Sequence, residues 1–161
     1  GVLGSNTGAN NVAIGRNIGV LVTTAANNTI VGTEAGEGLT TGSNNVFIGY
    51  RVGNETNVTG SSNIIIGYDI DLPTISTSNY LSIGNTIYGT INTGQVSIGV
   101  DTQVASAAFQ VDSTIRGLLP PRMTQAQRDA ISSPTAGLVI YNLTANKLNI
   151  YTTTWETITS S

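Results

Sequence analysis

The chain of 161 residues has no cysteine and no histidine, and only one methionine and one tryptophan. Without histidine it lacks the side chain that titrates near neutrality and the commonest metal ligand; without cysteine it has no disulfide, thiolate metal site or thiol nucleophile. Charge is scarce at 9% of residues, with a net of −3. The six basic residues, Arg16, Arg51, Arg116, Arg122, Arg128 and Lys147, form no stripe that would neutralise phosphates, so nucleic acid is not an expected partner. No apolar run approaches the length of a membrane span and no signal-peptide pattern is visible, so membrane insertion is not expected. Aromatic residues are only 6%, which argues against a large globular core.

What the chain has instead is a period. Five short apolar runs end in glycine: Val12-Ala13-Ile14-Gly15, Thr29-Ile30-Val31-Gly32, Val46-Phe47-Ile48-Gly49, Ile64-Ile65-Ile66-Gly67 and Leu81-Ser82-Ile83-Gly84, with glycines 17, 17, 18 and 17 residues apart. Asn11, Asn28, Asn45 and Asn63 stand four residues before the glycine, and Gly19, Gly36 and Gly53 four after it. A fixed period of this length marks a solenoid, in which each unit buries its apolar face by stacking on its neighbours. Asparagine and glycine tolerate a left-handed backbone, and identical residues stacked coil on coil can share side-chain hydrogen bonds in a ladder. With 39% apolar residues at a fixed period, the chain is ordered despite its wealth of Asn, Thr, Ser and Gly.

A strand buried on one face alternates apolar with polar residues, whereas Val-Phe-Ile and Ile-Ile-Ile are apolar throughout, so both faces should leave water. A 17-residue coil has only one inside, and its contour of roughly 56 Å at about 3.3 Å per residue encloses little space. The second face should therefore pack on another copy of the chain. On this reading Ile65→Asp should abolish the assembly, and Thr40→Asp, in a repeat turn, should be silent.

The Asn-Asn-Val-Ala-Ile-Gly repeats over about residues 1–70 resemble those of trimeric autotransporter adhesin heads and of bacteriophage tail fibres. The resemblance implies one β-roll coil per repeat and three rolls sharing an axis, hence a homotrimer. Adhesin head repeats are usually a few residues shorter, which favours the fibre. The opening Gly1-Val2-Leu3-Gly4 matches the second half of a repeat, so the chain is expected to be a piece of a longer array.

Beyond Tyr68 the frame breaks at Asp69-Ile70-Asp71-Leu72-Pro73. Leu81-Ser82-Ile83, Ile87-Tyr88-Gly89-Thr90-Ile91 and Val96-Ser97-Ile98 alternate, which predicts twisted sheet with one wet face. Phe109 to Asp112 is a further strand, and Pro120-Pro121 keeps residues 117–123 extended. Thr124 and Gln127 fit a capping box for one short helix that stops at Ser132-Ser133-Pro134. Leu138 to Tyr141 and Leu148 to Tyr151 read as a β-hairpin, with Trp155 to Ile158 as a third strand. Gly-Leu-Leu-Pro-Pro-Arg-Met from Gly117, and the order that follows to Trp155, resemble a C-terminal module of phage tail fibres; the linker before it resembles one found in the same proteins. The expected organisation is all-β: a trimeric β-roll or β-solenoid array over 1–72, a transition β-sheet over 73–116, and a C-terminal module over 117–161 with one short helix and a hairpin.

The chemistry-bearing candidates are few. Asp69 and Asp71 can ligate Ca²⁺ but lack the acidic loop of a dedicated site. Glu34 and Glu37 are a carboxylate pair of glycosidase type, yet both lie in a repeat turn without a cleft. Gly36-Glu37-Gly38 with Gly42 lacks the lysine and helix of a phosphate loop. The Asn-x-Thr triplets at Asn27, Asn54, Asn57 and Asn142 arise readily by chance in such a composition. Arg122, Arg128 and Asp129 can form bridges between chains or merely solvate the helix. Tyr141, Tyr151 and Trp155 can be a carbohydrate platform or core. No catalytic residue, cofactor or metal is assigned. The resemblance implies a non-enzymatic fibre segment of a phage tail or other virion appendage, meeting a host receptor (polysaccharide or outer-membrane protein) and other appendage subunits. A bacterial surface adhesin, a head-decorating fibre without receptor role and a polysaccharide-degrading tailspike are the alternatives.

Overall fold

The computed structural model describes residues 7–159; the half-repeat expected at Gly1 to Gly4 lies outside the described residues. The chain divides into two compact units, Gly1–Thr114 and Ile115–Ser161.

In the first unit each glycine-terminated run is a strand: β1 (Val12–Ile14), β2 (Thr29–Val31), β3 (Val46–Tyr50), β4 (Ile64–Tyr68) and β5 (Tyr80–Ile83). All four successive pairs are parallel and in repeat register, Ala13 facing Ile30, then Phe47, Ile65 and Ser82. This is a β-solenoid. Ile30, Phe47 and Ile65 point inward and are fully buried, packed in one cluster with the return segments' Ile18, Ala35, Val52 and Ile70 and with Val22, Leu39 and Val58.

The Asn-Asn pairs have two jobs in one turn. The first residue is left-handed, with φ of 62° at Asn10, 58° at Asn27 and 61° at Asn44. The second forms the expected ladder, though its carbonyl accepts from the next coil's backbone: Asn28 N–H to Asn11 Oδ1 (2.9 Å), Asn45 N–H to Asn28 (2.8 Å), Asn63 N–H to Asn45 (3.0 Å) and Tyr80 N–H to Asn63 (2.9 Å). Each Nδ2 meanwhile donates to a carbonyl across the coil, as Asn45 does to Gly60 (3.0 Å). Thus Asn28, Asn45 and Asn63 are buried with their polar atoms satisfied. Glycine is required at 53, where φ is +58° and a Cβ would sit 2.8 Å from the Phe47 ring.

Two expectations change. Ile65 lies in the coil's own interior, so Ile65→Asp strikes the roll and not an interface; its neighbours Ile64 and Ile66 are the outward residues. Thr40 is not a neutral turn position either, because its hydroxyl donates to Val58 O (3.0 Å), where an aspartate would set carboxylate against carbonyl.

The sheet continues past the array. β6 (Ile87–Thr90) and β7 (Gln95–Ile98) add antiparallel, and β8 (Phe109–Val111) adds parallel to β7, giving one eight-stranded sheet in chain order. Here the wet face is not the polar one. Ser82 and Ser97 are fully buried, whereas Ile83, Phe109 and Val111 are exposed. Segment 100–108 covers the polar face with a hydrogen-bond network: Gln103 Nε2 donates to Ser97 Oγ (2.9 Å), Ser97 Oγ to Val100 O (2.6 Å) and Thr90 Oγ1 to Gln103 Oε1 (3.0 Å).

The second unit is a four-stranded sheet in the order β12-β11-β10-β9, formed by β9 (Arg122–Met123), β10 (Val139–Asn142), β11 (Lys147–Tyr151) and β12 (Trp155–Thr157). The hairpin β10–β11 turns through Leu143 to Asn146, where Asn142 Oδ1 accepts from the N–H groups of Thr144 (2.9 Å) and Ala145 (3.2 Å). Helix α1 (Gln125–Asp129) carries the expected capping box between Thr124 and Gln127.

Candidate interaction surface

The outward residues of the eight-stranded sheet form two rows. Register places Ile14, Val31, Ile48, Ile66, Ile83, Ile87, Ile98 and Val111 side by side across all eight strands. The second row is Val12, Thr29, Val46, Ile64, Leu81, Gly89, Val96 and Phe109. Only Thr29 and Gly89 interrupt this apolar band, and none of its side chains is charged. Ile14 is 61% exposed and Phe109 56%; most of the central members are half-buried. At about 25 cal/mol per Å² of apolar area, a band this long facing water forfeits many kilocalories that contact with another apolar surface would recover.

Beside the band runs a charged corner. Residues 16, 34, 51 and 69 alternate in sign: Arg16 pairs with Glu34 (2.9 Å), and Arg51 lies between Glu34 (3.9 Å) and Asp69 (3.6 Å). Coil stacking puts Tyr50 on Tyr68 with centroids 5.3 Å apart. Sequence reading missed both, although spacings of 18, 17 and 18 residues between opposite charges held the signal. Asp69 is thus a member of an ion-pair ladder, and so is Glu34, whose side chain is committed to the arginines. Asp71 lies apart from Asp69, against Glu55, whose carboxyl is pushed above its ordinary value by burial and then by the Asp71 charge, partly offset by backbone hydrogen bonds. Glu55 accepts from Leu72 N–H through one oxygen while the other is buried without a partner. With its amide oriented to suit both neighbours, Asn54 donates to Asp71 Oδ1 (3.0 Å) and accepts from Arg51 Nε (3.0 Å). Among the described residues no group of three or more acidic side chains is placed to hold a metal ion.

Gly36 has a left-handed φ of +55° against Ile30, and a Cβ at Gly38 would overlap the Glu55 carbonyl, so these glycines serve coil packing. Asn142 is buried, its Nδ2 donating to Asn149 Oδ1 (3.0 Å). Asn27 and Asn57 are left-handed turn residues.

In the second unit the aromatic trio is divided. Tyr151 and Trp155 meet edge to face at 5.4 Å, and the Arg128 guanidinium sits 5.5 Å from the Trp155 ring. Arg128 also donates to Asn149 Oδ1 (2.8 Å), which with the Trp155 contact ties α1 to this face, and it pairs with its own neighbour Asp129 (2.7 Å). Tyr141 faces the other way, opposite Leu148, and shares no platform with them. Arg122 stands apart from Arg128, on the Tyr141 side.

Residues 97–161 match the family model described as "Phage tail like trimerisation region". The match links the chain to phage tail-related proteins and favours a homotrimer. Neither a curated protein nor a solved structure matches the chain. Among the described residues no helix is long and apolar enough to cross a membrane.

Proposed function

We propose that the chain is a segment of a homotrimeric fibre of a phage tail or related virion appendage, with a structural and adhesive role. The observation that carries this reading is the outward apolar band across eight strands, in a chain whose C-terminal residues match a trimerisation region. Three bands turned toward one axis would be removed from water together, leaving the charged corners outside. In this reading residues 1–72 are the shaft, 73–116 the transition and 117–161 the terminal module, and the assembled fibre presents or forms the receptor-binding surface. The solenoid and the match both fit a structural protein better than an enzyme. Immunogold labelling with antibodies against the chain tests the placement. Label on virion tails or appendages supports it; label confined to the bacterial envelope would replace it with a surface adhesin.

A further inference from the structure

The second unit has a face that its own chain uses little. Alternation and register place Arg122, Tyr141, Leu148 and Ile158 in one row, with Val139, Ile150 and Glu156 in the next. The opposite face carries Ile140, Asn142 and Asn149, all buried beneath the segment that holds α1. On the first face Val139, Leu148 and Ile158 are exposed and Tyr141 and Ile150 half-buried, an apolar patch framed by two charges.

Those charges stand on opposite edges. Arg122 is on β9 and Glu156 on β12, separated by three strand spacings, roughly 14 Å, which is too far for an ion pair within the sheet. Among the described residues neither has a salt-bridge partner. Cyclic association is heterologous, so a patch on one side of each copy meets a different patch on the next, and two edges of opposite charge suit that pairing. Growth by edge pairing through β9 is blunted, since Pro120 and Pro121, which lead into it, have no N–H to offer a neighbouring strand.

The geometry points to this face as the surface on which further copies of the chain dock, with Arg122 of one copy paired to Glu156 of the next. The inference rests on the homotrimer reading and adds to it a face, a direction around the ring and a charge pair. Native mass spectrometry of the full chain tests it, using Arg122→Glu, Glu156→Arg, the double reversal, and Lys147→Glu as a control from the other face. Each single reversal repeats three times per ring, and should weaken trimer association at least about tenfold. The double reversal should restore it, and Lys147→Glu should leave it unchanged. If the wild-type chain is itself a monomer or dimer, the homotrimer reading falls. If it is a trimer that the single reversals leave intact, or that the double reversal does not rescue, the trimer stands and this face and pairing are wrong.

Discussion

At the scale of residues the repeat is held by asparagine side chains that substitute for missing backbone partners. Asn45→Ala would orphan Asn63 N–H and Gly60 C=O inside the coil, at about 1–3 kcal/mol for each group. Asn44→Gly, one residue away at φ 61°, should change stability by about 0.5 kcal/mol or less, because glycine adopts that backbone freely. Denaturant melts of both variants check the contrast, and equal losses would refute the division of labour. Asn-Asn in register was legible as a turn and a ladder. That most rungs run from side chain to backbone, beside side-chain rungs such as Asn28 Nδ2 to Asn11 Oδ1 (3.0 Å), was not, because spacing carries no direction. Glu55 was passed over altogether, since what perturbs it, burial first and then the charge of Asp71 16 residues away in sequence, arises only in the fold. Its raised folded value means that the native state holds a proton which the unfolded chain has already released. Stability should therefore fall as pH climbs from about 4.5 through the raised value. Glu55→Gln should melt higher than wild type at pH 7 and equal to it at pH 4; the same difference at both would remove the linkage.

At the scale of elements, alternation tells which residues share a face but not which face meets water. Leu81-Ser82-Ile83 reads from sequence as a strand with a wet serine, yet Ser82 is buried and Ile83 is exposed. On the same face Ser97 and Thr90 are closed over by segment 100–108, whose Gln103 supplies their hydrogen bonds, and nothing in the strands announces it. The doubly apolar runs were more informative: their surplus hydrophobicity called for a second face to leave water, and the band is where that surplus lies. Ile66→Asp and Ile65→Asp separate the two faces. Ile65→Asp should collapse the β signal in far-UV circular dichroism, since it buries a carboxylate in the coil interior. Ile66→Asp should act first on assembly, lowering the trimer fraction at concentrations where wild type is fully assembled. A trimer of wild-type stability from Ile66→Asp would mean that the band faces solvent. In the second unit the capping box and hairpin were readable from local chemistry, whereas the separation of Tyr141 from Tyr151 and Trp155 follows from strand register.

At the scale of the whole molecule, coils interact with their nearest neighbours, so stability should add along the array while pairing among three chains makes assembly slow. Local structure forms soonest, and the second unit, with its capped helix and hairpin, is the part best suited to bring three chains into register. Deleting residues 117–161 should leave an array that refolds in low yield from denaturant, with the deficit growing as the chain is diluted. Refolding to trimer at the full chain's rate would assign the module another role, such as receptor contact. Unfolding of the complete fibre should be slower than its assembly, because opening one chain exposes surfaces on the other two. All of this depends on the apolar band being covered by other copies of the chain. The most direct measurement is the native mass of the folded chain at low micromolar concentration. A species of three chains of 16.6 kDa each is expected; a stable, fully folded single chain would contradict the trimer.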